Sequence, residues 1–473
     1  TIKRLKGLKV DLIRSRSDLL PLTWIRKNRR GEIAGVIGSL FRWSQKSDMN
    51  FSKCVQAFMA YTLYIHPTLT EGQKEKFLQA IGTTKPDGLS QTFHNGFSKT
   101  VRRTICRRPL GCSVRPLVTY QGSPSKKAPR LFGRKSTPQH LKILDDALIF
   151  NTNGGVYLYQ KYNRIFKTLL YGLADRRRFL DSLRKGPKAP IIGGEIHFLQ
   201  EPGGKLRSVA SPLRIYQEAL FPLGKELYDI VRSLPWDCTH DQMNAIPHIQ
   251  AHLERGGQVH SIDLSNATDH FPLSLQLTVM RTVIAKEDWD YVDLFEEISR
   301  SEWKSQIGNL RWCKGQPLGL YPSFASFTLT HGLLLLHLAG GRYDNQFFVL
   351  GDDVVIMDDQ LHNKYISMLD QMGCPWSSEK SISSLRIAEF AGKVISSTRV
   401  IPQLKWRRMS NDNFLDICRL LGIRSRCLLT RRQKIVFDLV AHLCEPIGLN
   451  FSLPGDNLEK MVQRTMDFYR PVE

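Results

Sequence analysis

The chain has 473 residues, 42% of them hydrophobic, enough to bury a large core divided over about two to four domains or subdomains. Its 67 Lys and Arg against 44 Asp and Glu leave a formal charge of +23, a surplus that calls for a polyanionic partner, nucleic acid first and an anionic membrane second. Nine cysteines without a CxxC pair exclude a disulfide framework and a zinc ribbon and are read as reduced thiols, and the most apolar stretch, "LLLLHLAGG", is too short to span a bilayer.

The opening "TIKRLKGLKVDLIRSRSDLL" is basic and partly amphipathic. Asp11 and Asp18 interrupt it, so it is read as an ordinary helix rather than a targeting signal; it lacks an initiator Met, and the native start is expected upstream. "FSKCVQAFMAYTLYIH" and "EGQKEKFLQAIG" space their apolar residues as helices do. Residues 121–138, rich in Pro, Ser, Gly and Lys, read as an exposed loop or linker. Helical spacing returns in "LKILDDALIF" and "YNRIFKTLLYGLADRRRFLDSLRKG", so the first part is predicted mainly helical.

At Ile191 the texture changes. "IIGGEIHFLQEPGGKLRSVASPLR" alternates around a Pro-Gly-Gly turn and predicts a β-hairpin over 191–214. A helix follows, then a short strand ending at Asp263 in "GQVHSIDLSNATDHFP". "LSLQLTVMRTVIAKEDWDYVDLFEEISR" is helical, and "WCKGQPLGLYPSFASFTLTHGLLLLHLAGG" is a glycine-bearing loop running into a long apolar helix. "NQFFVLGDDVVIMDD" reads as strand, turn and strand, with Asp358 and Asp359 at the exposed end of the second strand. "HNKYISMLDQMG" and the basic tail from about residue 405 are helical again.

Five basic runs stand along the chain, at 26–30, 102–108, 175–179, 405–408 and 424–434. One such run is ordinarily a solvated face; five over the whole length suit a polyanion. His248 and His252 have a zinc-like helical spacing, but no third ligand follows, and they read as surface residues. His331 and His337, in the apolar helix, read as satisfied core residues, and Trp312, Tyr321, Trp376 and Trp406 as core packing rather than base-stacking platforms.

Asp352 and Asp353 are adjacent like charges at a hairpin tip, an arrangement that costs energy unless the tip is simply wet or something positive belongs there. If the strand ending at Asp263 neighbours this hairpin in one antiparallel sheet, three carboxylates converge at one edge and raise one another's pKa. Divalent magnesium, with its hard oxygen ligands completed by water and phosphate, turns that into a favourable arrangement, and two such ions suit an in-line displacement at phosphorus.

In order along the chain stand "EPGGKLRSVASPLR", "SIDLSNATDHFP", "GQPLGLYPSFASFTLTHG", "FVLGDDVVIMDD" and "GCPWSSEKSISS" before "AEFAGKVIS". This set resembles the palm motifs of viral RNA-directed RNA polymerases over roughly residues 201–405, about two fifths of the chain. It is most similar to the mitoviruses and their relatives, the narnaviruses and ourmia-like viruses, which are capsidless positive-strand RNA replicators. The narrower likeness rests on "DLSNATDHFPLSLQ", "GQPLGLYPSFASFTLTHG", "LGDDVVI" and the upstream "LYDIVRSLPWDCTHDQ".

The resemblance implies an α+β fold of the right-hand fingers–palm–thumb type, with a small antiparallel palm sheet flanked by helices. Residues 1–257 are expected to form the N-terminal region and fingers, 258–273 the first palm strand, 274–311 a fingers insertion, 312–404 the rest of the palm and 405–473 the thumb. Asp263 and Asp352 would hold both Mg²⁺ ions, with Mn²⁺ as a substitute, and Asp353 would assist. Lys380 would protonate the leaving pyrophosphate. Lys205 and Arg207, one strand step apart on one face, would steer the triphosphate, with Arg214 as a third candidate. Asp269 would accept a hydrogen bond from the 2′-hydroxyl of the incoming ribose, with Ser323 and Asn266 beside it. Gly315, Gln316 and Gly319 would let a loop pass close to the template. Many relatives carry Thr where Ser323 stands and Asn where Phe327 stands, so this chain departs from the commoner ribose-reading set.

The implied partners are template and nascent RNA, NTPs and host proteins, and the implied site is the host mitochondrion, or the host cytoplasm for a narnavirus-like agent. A group II intron type of reverse transcriptase shares the palm and metals, but usually has a bulky aromatic where Asp269 stands and a residue other than glycine before the paired acids. A non-catalytic basic RNA-binding protein would explain the charge but not three acids in hairpin contexts.

Overall fold

In a computed structural model, residues 2–21, 26–84, 87–105, 111, 130–131, 134–135, 153–170, 190–406, 409–443, 448–449 and 451 are described. The linker at 121–138, the helix over 141–150, the basic run at 175–179 and parts of the runs at 102–108 and 405–408 lie wholly or largely outside these residues.

The N-terminal part is helical, as its spacing predicts: α1 (Ile2–Arg16), α2 (Gly35–Ser44), α3 (Asp48–Phe58), α4 (Glu71–Ile81), α5 (Gln91–Thr104), α6 (Asn153–Lys161) and α7 (Asn163–Leu170). Polar side chains close the orphan N–H groups at several starts. Ser47 accepts from the Asn50 N–H ahead of α3, and Thr70 forms a reciprocal capping box with Gln73 ahead of α4. Leu8 and Leu12 of α1 and Phe51 and Val55 of α3 share one buried cluster with Ile382, Ile387, Val394 and Ile401, more than three hundred positions further on. The first helices are thus built against strands formed by residues 382–402.

The hairpin forms as β1 (Ile192–Glu201) and β2 (Lys205–Pro212), with Glu201 opposite Lys205 across the Pro-Gly-Gly turn. Helices α8 (Arg214–Ala219) and α9 (Phe221–Arg232) follow where one helix was expected, because Pro222 starts a new first turn. Next come α10 (Ala245–Glu254), β3 (Val259–Asp263), α11 (Ala267–His270), α12 (Leu273–Val283) and α13 (Trp289–Ser299). The short strand β4 (Glu302–Lys304) returns to pair in parallel with β1, giving a β2-β1-β4 sheet that periodicity alone did not reveal.

Helix α14 (Tyr321–Leu338) is apolar nearly all round and buries 14 of its 18 residues, so it forms the spine of the largest core. It leads to β5 (Phe347–Leu350) and β6 (Asp353–Ile356), then to α15 (Asp359–Met372) and β7 (Ile382–Ser384). The resulting four-stranded sheet has the order β5-β6-β3-β7 and is antiparallel throughout. A separate three-stranded meander, β8 (Ile387–Phe390), β9 (Lys393–Ser396) and β10 (Val400–Pro402), packs beside it. Helices α16 (Phe414–Leu421) and α17 (Arg431–Val440) close a small cluster of their own around Phe414, Cys418 and Phe437. The architecture is α+β with small, mainly antiparallel sheets among helices, as expected. Among the described residues no helix is long and apolar enough to cross a membrane.

Asp358 and Asp359 are corrected from a strand end to a helix start. Asp358 caps α15 by accepting from the Leu361 N–H at 2.6 Å, and Asp359 meets His260 of β3 at 2.7 Å.

Gly319 has no room for a side chain: a methyl group there would overlap the carbonyl of Ala210 on β2. Gly319→Ala should therefore destabilise the chain by about 1–3 kcal/mol through overpacking, read as a lowered thermal midpoint by circular dichroism. Gly72→Ala, in open space in the first turn of α4, should leave the midpoint unchanged or raised.

Candidate active site

Strand β3 carries Asp263 to its last position because the preceding Val259 to Ile262 are all buried and the chain must turn out at the sheet edge. Its partner in register across β3 and β6 is Asp353. On its other side Asp353 faces Leu350 of β5, leaving Gly351 and Asp352 as a two-residue turn. Gly351 has φ +61 whereas Asp352 is not in the left-handed region, the pattern of a type II′ turn, which requires glycine first. So the glycine before the two acids is demanded by backbone geometry, and the turn lifts Asp352 into solvent. Phe324 of α14 lies under this turn, where a side chain on Gly351 would strike its ring.

The three acids therefore meet at one edge. Burial pushes the Asp353 carboxyl up to about 7, and the charges of Asp352, Glu389 and Asp263 push in the same sense, with Lys205 opposing them. Lys380 Nζ stands 3.0 Å from Asp263 Oδ2, with the lysine side chain 61% exposed, and the Asp263 N–H donates to Ser381 Oγ at 3.0 Å. Glu389 of β8 was not singled out from the sequence. It accepts from Lys9 of α1 at 3.4 Å and from Gln403 at 2.9 Å, and its own N–H donates to Ser261 Oγ at 2.9 Å.

His331 is the satisfied core residue its place in the apolar helix suggested, and it also reaches the site. Its ring is wholly buried on α14 between the Gly351 carbonyl, 2.8 Å from Nδ1, and the Tyr365 hydroxyl, 2.6 Å from Nε2. Burial lowers its pKa to about 4, so the ring is neutral, donating from Nδ1 to the carbonyl and accepting the Tyr365 proton at Nε2. The histidine read as core filling thus pins the acid-bearing turn.

Asp269 lies on α11, just past Asn266, which adopts φ +48 and is exposed. Asp269 Oδ1 accepts a hydrogen bond from Trp312 Nε1 at 2.8 Å. Burial raises its carboxyl to about 6, with the Trp312 hydrogen bond acting against the shift.

Several expected contacts are corrected. Ser323 is completely buried and its hydroxyl donates to the Pro317 carbonyl at 3.1 Å, so it does not face a ribose. Gln316 is also fully buried, donating to Gln276 Oε1 and the Ser323 carbonyl, so it braces the loop from inside rather than reaching a template. Gly315 and Gly319 are needed for close approach to this chain's own backbone at Thr268, Asp269 and Ala210. Arg207 is exposed on the same strand as Lys205 but is held by Glu201 at 2.7 Å. Lys205 is exposed, and its charge reaches Asp353, which orients the hairpin toward the acids. Arg214 opens α8 with one guanidinium nitrogen buried and unbonded.

Among the described residues the carboxylates are not drawn into a closed three-ligand set; Lys380 stands against one of them instead. The donor chemistry still fits a hard divalent cation. The oxygens are anionic, they lie at an open edge, they carry surplus negative charge, and water or phosphate can complete the coordination.

Residues 136–421 match the family described as mitovirus RNA-dependent RNA polymerase. The chain belongs to that family. It is 28% identical over 218 residues to the RNA-directed RNA polymerase of Cryphonectria parasitica mitovirus 1, covering 45% of this chain and 26% of that relative. The chain thus spans about a quarter of the length of that curated relative. It is also 28% identical over 192 residues to an uncharacterised mitochondrial protein of Arabidopsis thaliana, covering 36% of this chain and 90% of that protein. Among solved structures it is similar to an insertion loop deletion mutant of the RNA-dependent RNA polymerase of a human picorbirnavirus, with 13% identity, a TM-score of 0.48, and coverage of 92% and 90% of the two chains.

The family implies dependence on divalent metal, and the acids make a pH-dependent prediction. The folded Asp353 pKa lies above the ordinary carboxylate value, so the folded state binds more protons than the unfolded one between about pH 4 and pH 7, and that contribution is lost as pH rises through 7. A divalent cation binds only the ionised form. Millimolar Mg²⁺ should therefore raise the thermal midpoint more at pH 8 than at pH 6, and Asp353→Asn should flatten the difference in paired melting curves.

Proposed function

We propose that the chain is an RNA-directed RNA polymerase replicating a viral positive-strand RNA genome by metal-assisted nucleotidyl transfer. The observation that carries this reading is the register that puts Asp263 opposite Asp353 beside the Gly351–Asp352 turn. Family membership supports it. In the reaction the 3′-hydroxyl of the growing RNA attacks the α-phosphate of an NTP. The new oxygen–phosphorus bond forms as the bond to the β-phosphate oxygen breaks, and pyrophosphate leaves. Two Mg²⁺ ions held by Asp263, Asp352 and Asp353, with Mn²⁺ as a substitute, supply activation of the attacking hydroxyl and stabilisation of the leaving oxygen when bound.

This chain's own residues supply position and protons. Lys380 is stationed at the acids by Asp263 and exposed enough to donate a proton to departing pyrophosphate. Lys205 projects from the hairpin toward the same edge and attracts the triphosphate; Arg207 and Arg214 contribute field behind it. Asp269, with Asn266 beside it, reads the ribose. Residues 1–257 with 274–311 act as fingers, 258–273 with 312–404 as palm, and 405–473 as thumb. The runs at 102–108 and 424–434 are the candidates to take RNA phosphates; Arg431 and Arg432 of the second are exposed, whereas Arg426 is committed to Asp438 at 2.7 Å. Replication in the host mitochondrion, with host proteins as further partners, is the setting the family suggests.

A primed RNA template with NTPs and Mg²⁺ tests the reading. Wild type should extend the primer, and Asp263→Ala and Asp352→Ala should each reduce extension to background while retaining salt-dependent RNA binding. Lys380→Ala should lower kcat by roughly 10²-fold, the scale of one lost general acid. Equal extension by Asp352→Ala and wild type would refute the assignment.

A further inference from the structure

We infer that Trp312 is the positioning residue for ribose selection: its indole N–H fixes one oxygen of the Asp269 carboxyl and leaves the other to accept a hydrogen bond from the 2′-hydroxyl of an incoming ribonucleotide. The inference rests on the polymerase reading above and adds to it a residue outside the motifs that carried the resemblance.

Four observations converge. First, the contact is specific: Trp312 Nε1 donates to Asp269 Oδ1 at 2.8 Å, and Oδ2 takes no hydrogen bond among the described residues. Indole is a donor only, so it must meet a carboxyl lone pair and cannot compete for the one a hydroxyl would use on the other oxygen. Second, the donor is rigid. Trp312 is 3% exposed and wedged edge-on between Phe77, 6.1 Å away, and Trp303, 6.3 Å away. Burial and edge-on packing of this kind restrict the ring, which is what a fixed hydrogen-bond donor needs.

Third, the backbone around Asp269 is fixed by the same segment that delivers the tryptophan. The Gly315 N–H donates to the Asp269 carbonyl at 3.1 Å, and the Gln316 N–H to the Thr268 carbonyl at 3.0 Å. The absence of a side chain at Gly315 is what lets the two backbones touch. Trp312 and the loop after it therefore form one brace on α11. Fourth, two positions of the commoner ribose-reading set are spent or missing. The Ser323 hydroxyl is bound to Pro317 O, and Phe327 is an apolar residue 1% exposed against Phe271 and His331. That leaves Asp269 with the exposed Asn266 beside it, and a carboxyl held by a single donor depends on that donor.

A site built to accept a hydrogen bond from a hydroxyl rejects the analogue without it, because a half-buried acceptor is left unpaired. Releasing the carboxyl lets it turn away or take up a proton, and the penalty against a deoxynucleotide shrinks. The burial that lifts the Asp269 carboxyl to about 6 makes its ionised state dependent on the indole donor.

The test is the ratio of kcat/KM for an NTP to that for the matching dNTP on an RNA template at pH 7.5. Trp312→Phe should lower this ratio by about tenfold, the worth of one hydrogen bond to a charged group, while kcat with NTP changes far less. In an Asp269→Ala background the same substitution should leave the ratio unchanged. Phe77→Leu, which loosens the packing but keeps the indole N–H, should lower thermal stability with little effect on the ratio. Wild type supplies a check free of folding defects: a 2′-deoxy-2′-fluoro NTP, which cannot donate, should be rejected like the dNTP. A ratio unchanged in Trp312→Phe, an equal drop in the Asp269→Ala background, or fluoro-NTP use equal to NTP would each overturn the inference while leaving the polymerase standing. Failure of wild type to incorporate any NTP would remove the polymerase reading itself, and this inference with it.

Discussion

The pairing of β3 with β6 is the constraint on which the rest depends. Two strands about ninety residues apart are laid antiparallel so that the first ends and the second begins in an acid, and the two acids fall opposite one another. Since side chains alternate faces, a slip of one residue in this register would send Asp353 to the other side of the sheet. What prevents the slip is apolar: Val354, Val355 and Ile356 are buried on one strand and Val259 and Ile262 on the other. The hydrophobic effect thus sets the position of charges that repel each other, and burial first, with that repulsion added, raises the proton affinity of Asp353.

Support for that edge comes from one helix. Helix α14 presents Phe324 under the Gly351–Asp352 turn and His331 to the Gly351 carbonyl, while Gln276 of α12 accepts from Ser326 and Gln316. Tyr365 of α15 completes the chain by donating to His331. These are buried polar contacts inside an apolar mass, where satisfied groups give rigidity and unsatisfied ones are costly. They tie the acids to the core by direct bonds as well as by packing.

How much of this was readable beforehand depended on whether the signal was local. The β1–β2 hairpin was legible because its alternation and Pro-Gly-Gly turn lie within a few residues of each other, and the Gly351–Asp352 turn was legible for the same reason. The meeting of Asp263 with Asp353 needed the ordered motif set, because nothing local in either strand names its partner. Burial was the recurrent source of error. Ser323, Gln316 and the two loop glycines have the composition of a ligand-facing loop, yet they are turned inward to brace it. Glu389 was passed over, and His331 and Trp312 were read only as core residues, because each acts through a tertiary contact with a residue far off in sequence. Strand β4 escaped because three residues are too few to show a period.

One consequence follows from the cluster that Leu8, Leu12, Phe51 and Val55 share with Ile382, Ile387, Val394 and Ile401. Lys9 and Glu389, which meet across it, are separated by 380 positions. During synthesis the first helices leave the ribosome long before their partners exist, and their apolar faces have no native surface to cover until the β8–β9 meander has been translated. Loop closure over that span is slow and its intermediates are sticky. The native packing of these helices therefore waits on a segment more than three hundred positions downstream.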